Sequence, residues 1–124
     1  MAKRKSQEKQ SPILEQDEAT DPVKWLLNQI DFGVGPIGIM TGHSRKSRAA
    51  ISELDAACGD RPRTLSLDRA RLGVAGVEVK AYSAPEQLRG SRLGAAWVQP
   101  GASQRLVDAM RRALMDGSPV LVSV

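Results

Sequence analysis

The sequence predicts a small α/β domain with a mostly parallel central sheet and flanking helices. Residues 37–40, 95–98 and 120–124 are short apolar runs, which are typical of strands covered on both faces. Helical periodicity follows the first two runs, and parallel strands need such crossover connections. The length of 124 residues suits one domain.

The first helix is predicted from its start signals. Asp21 is suited to cap the helix, and Pro22 to occupy its first position. Apolar residues then recur at helical spacing until about residue 31: Val23, Leu26, Leu27 and Ile30. The glycines and the proline of residues 32–36 end this helix.

A second helix is predicted after the strand at residues 37–40. Ser44 is its expected N-cap, and the helix runs to about Cys58, where Gly59 stops it. From residue 61 the apolar period changes to two. Residues 64–67 and Val77–Tyr82 alternate, with glycines between them, which predicts hairpin-like strands.

The last third of the sequence predicts a strand, a helix and a strand. The strand at residues 95–98 precedes a turn, and Ser103 is the expected cap of a helix that ends at Gly117. The apolar run at 120–124 follows. Because the sequence stops on a core strand, we expect that the domain at residues 21–124 is a fragment or is completed by a partner.

Residues 1–20 are polar and lack hydrophobic periodicity. A basic cluster gives way to an acidic one, and we predict a disordered charged tail. A nucleic-acid-binding arm is the alternative interpretation.

Residue counts and charge restrict the function. A single cysteine, Cys58, and a single histidine, His43, exclude an internal disulfide, a zinc site of several cysteines and paired-histidine chemistry. We interpret Cys58 as a core residue and His43 as a turn residue. The net charge of +4 favours an anionic partner such as DNA. No run approaches the about 20 apolar residues of a membrane span, so we expect a cytoplasmic protein with no membrane partner.

The strand-to-helix turn after residue 40 bears a partial likeness to a phosphate loop. Gly42 and the Lys46-Ser47 pair are present, but Arg45 and Met40 stand where the two glycines of the Walker A pattern belong. Anion binding at the start of the helix and a merely charged helix face both remain open.

Residues 61–100 carry a resemblance to a known family. The residues that carry it are Arg61-Pro62-Arg63, Arg69-Ala70-Arg71-Leu72, Gly76-Val77-Glu78-Val79, Tyr82-Ser83-Ala84-Pro85-Glu86-Gln87-Leu88-Arg89-Gly90 and Ala95-Ala96-Trp97-Val98. In this order they resemble the ATPase domain of phage terminase large subunits, which pump DNA into procapsids. With its flanks, the resemblance covers roughly residues 37–124.

The resemblance implies a P-loop-NTPase-like core, but one that lacks the P-loop. The Walker A segment that should precede Ile37 is absent, and Gln99 and Pro100 stand where the Walker B strand should end in two acids. The family's nuclease domain is missing as well. We therefore expect no ATP hydrolysis by this chain alone and no cofactor, unless a partner chain supplies the site for ATP and Mg²⁺.

The resemblance also implies a candidate catalytic residue. Arg89 lies in the family's Leu-Arg-Gly element, where an arginine could act in trans on the nucleotide of a neighbouring subunit. A structural loop residue is the alternative. Terminase subunits or the portal are the implied partners, in the cytoplasm of a bacterial host.

Two hypotheses follow from the sequence. The first is a terminase-like packaging protein of a phage or prophage, inactive by itself, which is an accessory protein, a split subunit or a remnant. The second is a small basic nucleic-acid-binding module without nucleotide chemistry. Its candidate binding residues are Arg45, Lys46, Arg48, Arg61, Arg63, Arg69 and Arg71.

Overall fold

The fold is a seven-stranded sheet flanked by three helices, seen in a computed structural model that describes residues 13–15 and 20–123. The helices are α1 (Pro22–Asp31), α2 (Ser44–Ala56) and α3 (Gln104–Ala113). The strands are β1 (Ile13–Glu15), β2 (Ile37–Met40), β3 (Arg63–Ser66), β4 (Arg71–Val74), β5 (Val77–Tyr82), β6 (Ala95–Val98) and β7 (Val120–Val122). Short 3-10 turns occupy Leu67–Arg69 and Pro85–Leu88.

Strand order is β1-β7-β6-β2-β5-β4-β3. The first five strands in this order are parallel to one another, and β4 is antiparallel to both β5 and β3. The prediction of an α/β fold with a mostly parallel sheet is therefore confirmed. The strands predicted at residues 64–67 and 77–82 are found as β3 and β5, but they do not pair with each other. β4 was not predicted; it lies between them and pairs antiparallel with both.

The centre of the sheet is built from the apolar runs. All residues of β2 and β6 are buried, and β2 pairs with both β5 and β6. In the neighbouring pair, Trp97 of β6 lies opposite Leu121 of β7. The apolar runs predicted as covered strands thus form adjacent strands of the sheet, buried throughout β6 and at Val120 and Leu121 of β7.

Each face of the sheet is covered by helices. On one face, α1 and α2 contribute Leu26, Ile30, Ile51 and Leu54 to a cluster with Ile37 and Ile39. On the other face, Leu106 and Met110 of α3 pack with Met40 and Leu93. The two faces follow from the alternation of side chains along β2.

Helix starts agree with the sequence at two of three places. Asp21 Oδ1 accepts a hydrogen bond from the Val23 N–H at 3.0 Å, and Ser103 Oγ accepts one from the Leu106 N–H at 3.1 Å. The prediction for Ser44 is wrong, because His43 is the N-cap and Ser44 is the first helical residue. The helix also ends at Ala56, before the predicted Cys58, since the backbone turns at its C-cap, Ala57.

The structure differs from the predicted tail at three residues. Ile13–Glu15 forms β1, which pairs with β7 in parallel. An edge position needs hydrogen bonds along one side only, so a strand as short as three residues can form there without a strong sequence pattern. Residues 1–12 and 16–19 lie outside the described residues, and for them the disordered tail stays a prediction. No helix within the described residues is long and apolar enough to cross a membrane.

Candidate functional site

The carboxyl ends of β2 and β6 meet at the place where α/β sheets usually bind ligands. The connection from β2 runs through α2 towards β5 on one side, and the connection from β6 runs through α3 to β7 on the other. Neighbouring strands whose connections diverge in this way form a crevice at their carboxyl ends. Ligand-binding or catalytic side chains are therefore expected in the loops at this crevice.

The loop after β2 is held by a buried hydroxyl. Thr41 Oγ1 lies 2.7 Å from Ser47 Oγ of α2 and 3.2 Å from the Tyr82 carbonyl oxygen. Next to it, Gly42 packs on the loop after β6, and a Cβ at Gly42 would lie 3.0 Å from the Gly101 carbonyl oxygen. The two loops thus touch, so a larger side chain at position 42 would push them apart.

The loop after β6 carries no acid. Gln99 is partly buried and Pro100 is exposed, and both follow β6 directly. Neither side chain is a carboxylate, the group that Walker B strands use to hold Mg²⁺ and to activate the attacking water. Within residues 13–15 and 20–123, no cluster of three or more histidine, cysteine or acidic side chains could hold a metal ion.

A basic cleft lies beside the start of α2, and we call it the α2 cleft. Its volume is about 400 Å³. Its charged and polar lining consists of Ser44, Ser47, Arg48, Asp68, Arg69, Arg71, Lys80, Ser83 and Gln87. Three of the seven basic residues predicted to bind nucleic acid therefore line one cleft: Arg48, Arg69 and Arg71.

Lys80 was missed by the sequence analysis. It lies directly opposite Arg71 across the β4–β5 pair. The two-residue connection at Ala75-Gly76 could have revealed this, since hairpin length fixes which residues face each other. The two cations are partly compensated, because Arg71 Nε lies 2.7 Å from Glu78 Oε2 and Lys80 Nζ lies 5.3 Å from the centre of the Tyr82 ring.

Arg48 and Arg69 are the uncompensated cations of the α2 cleft. Both are exposed, and neither forms an ion pair with a described residue. Arg45 and Lys46 are also exposed, on the first turn of α2, and likewise make no ion pair in the described part of the chain. Arg48 and Arg69 thus line the α2 cleft, whereas Arg45 and Lys46 lie on the first turn of α2 outside its lining.

The two remaining predicted residues, Arg61 and Arg63, have structural partners. Arg61 donates to both carboxylate oxygens of Asp31 at 2.9 and 2.8 Å, which ties the end of α1 to the segment after α2. Arg63 Nε donates to Asp55 Oδ1 at 2.7 Å. The Arg61 hydrogen bonds hold the pKa of Asp31 below its usual value. Both guanidinium groups are thus already paired with acids.

Arg89 lies apart from the α2 cleft. It follows the turn at Pro85–Leu88, is exposed, and lines a second groove of about 450 Å³ against α3. Its backbone N–H donates to the Glu86 carbonyl oxygen at 3.2 Å, while its guanidinium makes no ion pair with a described residue. The side chain is therefore free to meet a ligand or a neighbouring molecule.

Cys58 and His43 have the locations that the sequence predicted. Cys58 is fully buried in the core, its Sγ donates to the Leu54 carbonyl oxygen at 3.2 Å, and burial raises the pKa of the thiol. His43 is exposed in the turn before α2. A buried, protonated thiol is a poor nucleophile.

Fold and site together define an α/β protein with a mostly parallel sheet, a switch-point crevice whose loops after β2 and β6 carry no acid, and basic clefts lined by described residues. The sequence matches no family model, no curated protein and no solved structure.

Proposed function

We propose that this chain is a terminase-like DNA-packaging domain that does not hydrolyse ATP by itself. The observation that carries the proposal is the carboxyl end of β6, where Gln99 and Pro100 follow a buried strand at the switch point. In the family that the sequence resembles, that strand ends in the two Walker B acids. The order of strands around it supports a P-loop-like core that has lost its chemistry.

The start of the domain supports the same interpretation. β1 belongs to the parallel sheet and α1 is the next helix among the described residues; a phosphate loop joins a strand to a helix. The sequence between them is Gln16-Asp17-Glu18-Ala19-Thr20-Asp21. It contains three carboxylates and neither glycine nor lysine. A triphosphate needs free N–H groups and a cation at that point, so these residues would repel it.

The described residues contain no cluster that could hold a metal ion, and the loop after β6 offers no carboxylate, so they supply no visible stabilisation of phosphoryl transfer. An accessory subunit, one half of a split motor and a remnant all satisfy this constraint. In the first two cases the chain contacts an active terminase subunit, whose catalytic residues supply ATP hydrolysis.

The proposal is tested with the purified chain and the terminase and portal proteins encoded by the same genome. We expect no ATP turnover by the chain alone, and co-elution with one of these proteins in size-exclusion chromatography. Mg²⁺-dependent turnover that Gln99→Ala abolishes would overturn the inactive assignment. Failure to bind any cognate packaging protein would exclude the accessory-subunit and split-motor forms of the proposal.

A second candidate function is nucleic-acid binding at the α2 cleft. The unpaired cations Arg48 and Arg69, which line the α2 cleft, favour it, since exposed cations attract phosphates. Arg45 and Lys46 add positive charge on the first turn of the same helix. The double variant Arg48→Gln/Arg69→Gln should then weaken DNA binding and lower the slope of log K against log salt by about 2. Equal binding by wild type and variant would exclude this surface.

A further inference from the structure

The second groove is formed between α3 and the segment that follows β5, and we call it the α3 groove. One wall is the segment at residues 85–91, and the other is α3 with Arg105, Ala109, Arg112 and Ala113. Because α2 and α3 cover opposite faces of the sheet, this groove is separate from the α2 cleft. The groove shares Arg89 with the terminase resemblance, but neither the acid-free end of β6 nor the strand order depends on it.

Three arginines surround the α3 groove: Arg89, Arg105 and Arg112. All three are exposed, and none forms an ion pair with a described residue. Among the described residues that line the groove, Glu86 is the one acid. Single exposed arginines are common on protein surfaces, but three around one concave surface repel each other unless an anion lies between them.

The spacing of the arginines suggests the shape of that anion. Arg105 and Arg112 are seven positions apart on α3, which corresponds to two turns and about 10.5 Å along one side of the helix. Arg89 is on the opposite wall. A nucleic-acid strand carries its charges in a row, so separate phosphates of one strand can meet Arg105 and Arg112. Arg89 faces the same strand from the other wall.

The floor of the groove permits a close approach. It contains Leu88, Ala109 and Ala113, which are buried, and their side chains carry no charge. Gly90 adds no side chain to the wall. The planar guanidinium fork matches the paired oxygens of a phosphate better than an ammonium does.

We propose that the α3 groove binds the phosphate backbone of a nucleic-acid strand through Arg89, Arg105 and Arg112. The contact is independent of sequence, because cations that meet phosphates do not read base edges. The inference goes beyond the proposed function, since it requires neither a packaging motor nor a relationship to terminases. It also assigns a role to Arg105 and Arg112, which the sequence analysis did not single out.

The test measures binding of the full chain to fluorescently labelled single-stranded and duplex DNA over a range of salt concentrations. The double variant Arg105→Gln/Arg112→Gln should lower the slope of log K against log salt by about 2, and adding Arg89→Gln should lower it by about 1 more. Arg111→Gln is the matched control, because Arg111 is an exposed arginine of α3 outside the groove. The α2-cleft variant Arg48→Gln/Arg69→Gln should retain the part of the salt dependence of DNA binding that the α3 groove contributes.

A polyglutamate peptide of equal charge is the competitor that distinguishes nucleic acid from an acidic protein segment. We expect it to displace DNA poorly, because its carboxylates are not held in a row at the spacing of phosphates. Displacement as efficient as that by unlabelled DNA would overturn the proposal in favour of an acidic partner. Equal binding by the groove variants and Arg111→Gln, with circular dichroism showing all of them folded, would overturn it as well.

Discussion

Single residues fix the distance between neighbouring loops in this fold. Gly94, before β6, lies against the backbone of Gly35, and a Cβ at Gly94 would approach the Gly35 carbonyl oxygen to 2.8 Å. The Gly94 N–H also donates to the Pro36 carbonyl oxygen at 2.7 Å, which holds the two segments together. Backbone atoms cannot rotate away as a flexible side chain can.

The first prediction is that Gly94→Ala lowers the free energy of unfolding by about 1–3 kcal/mol, the usual cost of forcing atoms into a packed site. Gly73→Ala is the matched control, because a Cβ at Gly73 in β4 would meet no atom within 4 Å. Urea denaturation of both variants checks the expectation. Equal loss of stability in the two would show that the close contact with Gly35 is not the cause.

The second prediction concerns the ion pair between Arg61 and Asp31. The hydrogen bond from Arg61 holds the pKa of Asp31 below its usual value, so folding is favoured by this group above the pKa of the unfolded carboxyl, about 3.9. That contribution is lost as the pH falls through the lower folded pKa. Because both groups are exposed to solvent, the effect on stability is small, and the pKa itself is the better measurement.

Arg61→Gln should raise the pKa of Asp31 towards its usual value, as followed by NMR titration of the carboxyl carbon. Arg63→Gln is the control, since Arg63 pairs with Asp55 instead. A pKa of Asp31 that stays unchanged in Arg61→Gln would contradict the assignment of the shift to this pair.

At the scale of elements, the sheet depends on a few short strands. β7 has three residues and lies between β6 and β1, with Leu121 buried opposite Trp97. β3 is the opposite case, because it is an edge strand and Leu65 within it is 43% exposed. A leucine therefore contributes more to the free energy of folding in β7 than in β3.

The third prediction is that Leu121→Asp abolishes cooperative unfolding, whereas Leu65→Asp leaves it intact. A carboxylate without a partner in the core costs several kcal/mol, which is a large fraction of the stability of about 5–15 kcal/mol typical of proteins. At the exposed position the carboxylate stays in water. Thermal unfolding followed by circular dichroism checks both variants. A cooperatively folded Leu121→Asp protein would show that burial of Leu121 in β7 is not required for folding.

At the scale of the whole molecule, the α3 groove and the terminase resemblance imply different roles for Arg89. The resemblance suggests that Arg89 reaches the nucleotide of a neighbouring subunit, and its exposed guanidinium satisfies that requirement. The α3 groove makes the same side chain one of three phosphate contacts. Substitution of Arg105 and Arg112 distinguishes the two roles, because the trans-acting role does not involve these residues.

The fourth prediction is that adding the chain to a cognate packaging motor changes the ATPase rate of the motor, and that Arg89→Ala removes this change without unfolding the chain. Arg89→Lys should restore it only in part, because ammonium lacks the planar fork of guanidinium. Arg105→Gln/Arg112→Gln is the control that should leave the effect on the motor intact in the absence of DNA. Identical effects of wild type and Arg89→Ala would reject the trans-acting role.

Local signals in the sequence were sufficient for most elements. Asp21 and Ser103 cap their helices as predicted, because a side-chain acceptor next to an amphipathic run acts within a few residues of the chain. The buried runs in β2, β6 and β7 were recognised because a strand covered on both faces must be apolar throughout. The prediction that Ser44 is the N-cap of α2 was wrong, because a serine side chain suits both an N-cap and the first turn of a helix.

The tertiary structure decided which of these elements and charges meet. Strand order, the pairing of β1 with β7 and the exposure of Leu65 depend on contacts between distant segments, which local periodicity does not encode. The same is true of the arginines. Arg61 and Arg63 are predicted binding residues that form ion pairs with Asp31 and Asp55, whereas Arg105 and Arg112 line the α3 groove with Arg89. The sequence determined the number and type of charges, and folding determined which of them are neutralised, because an ion pair forms only between groups that the fold brings within a few ångströms.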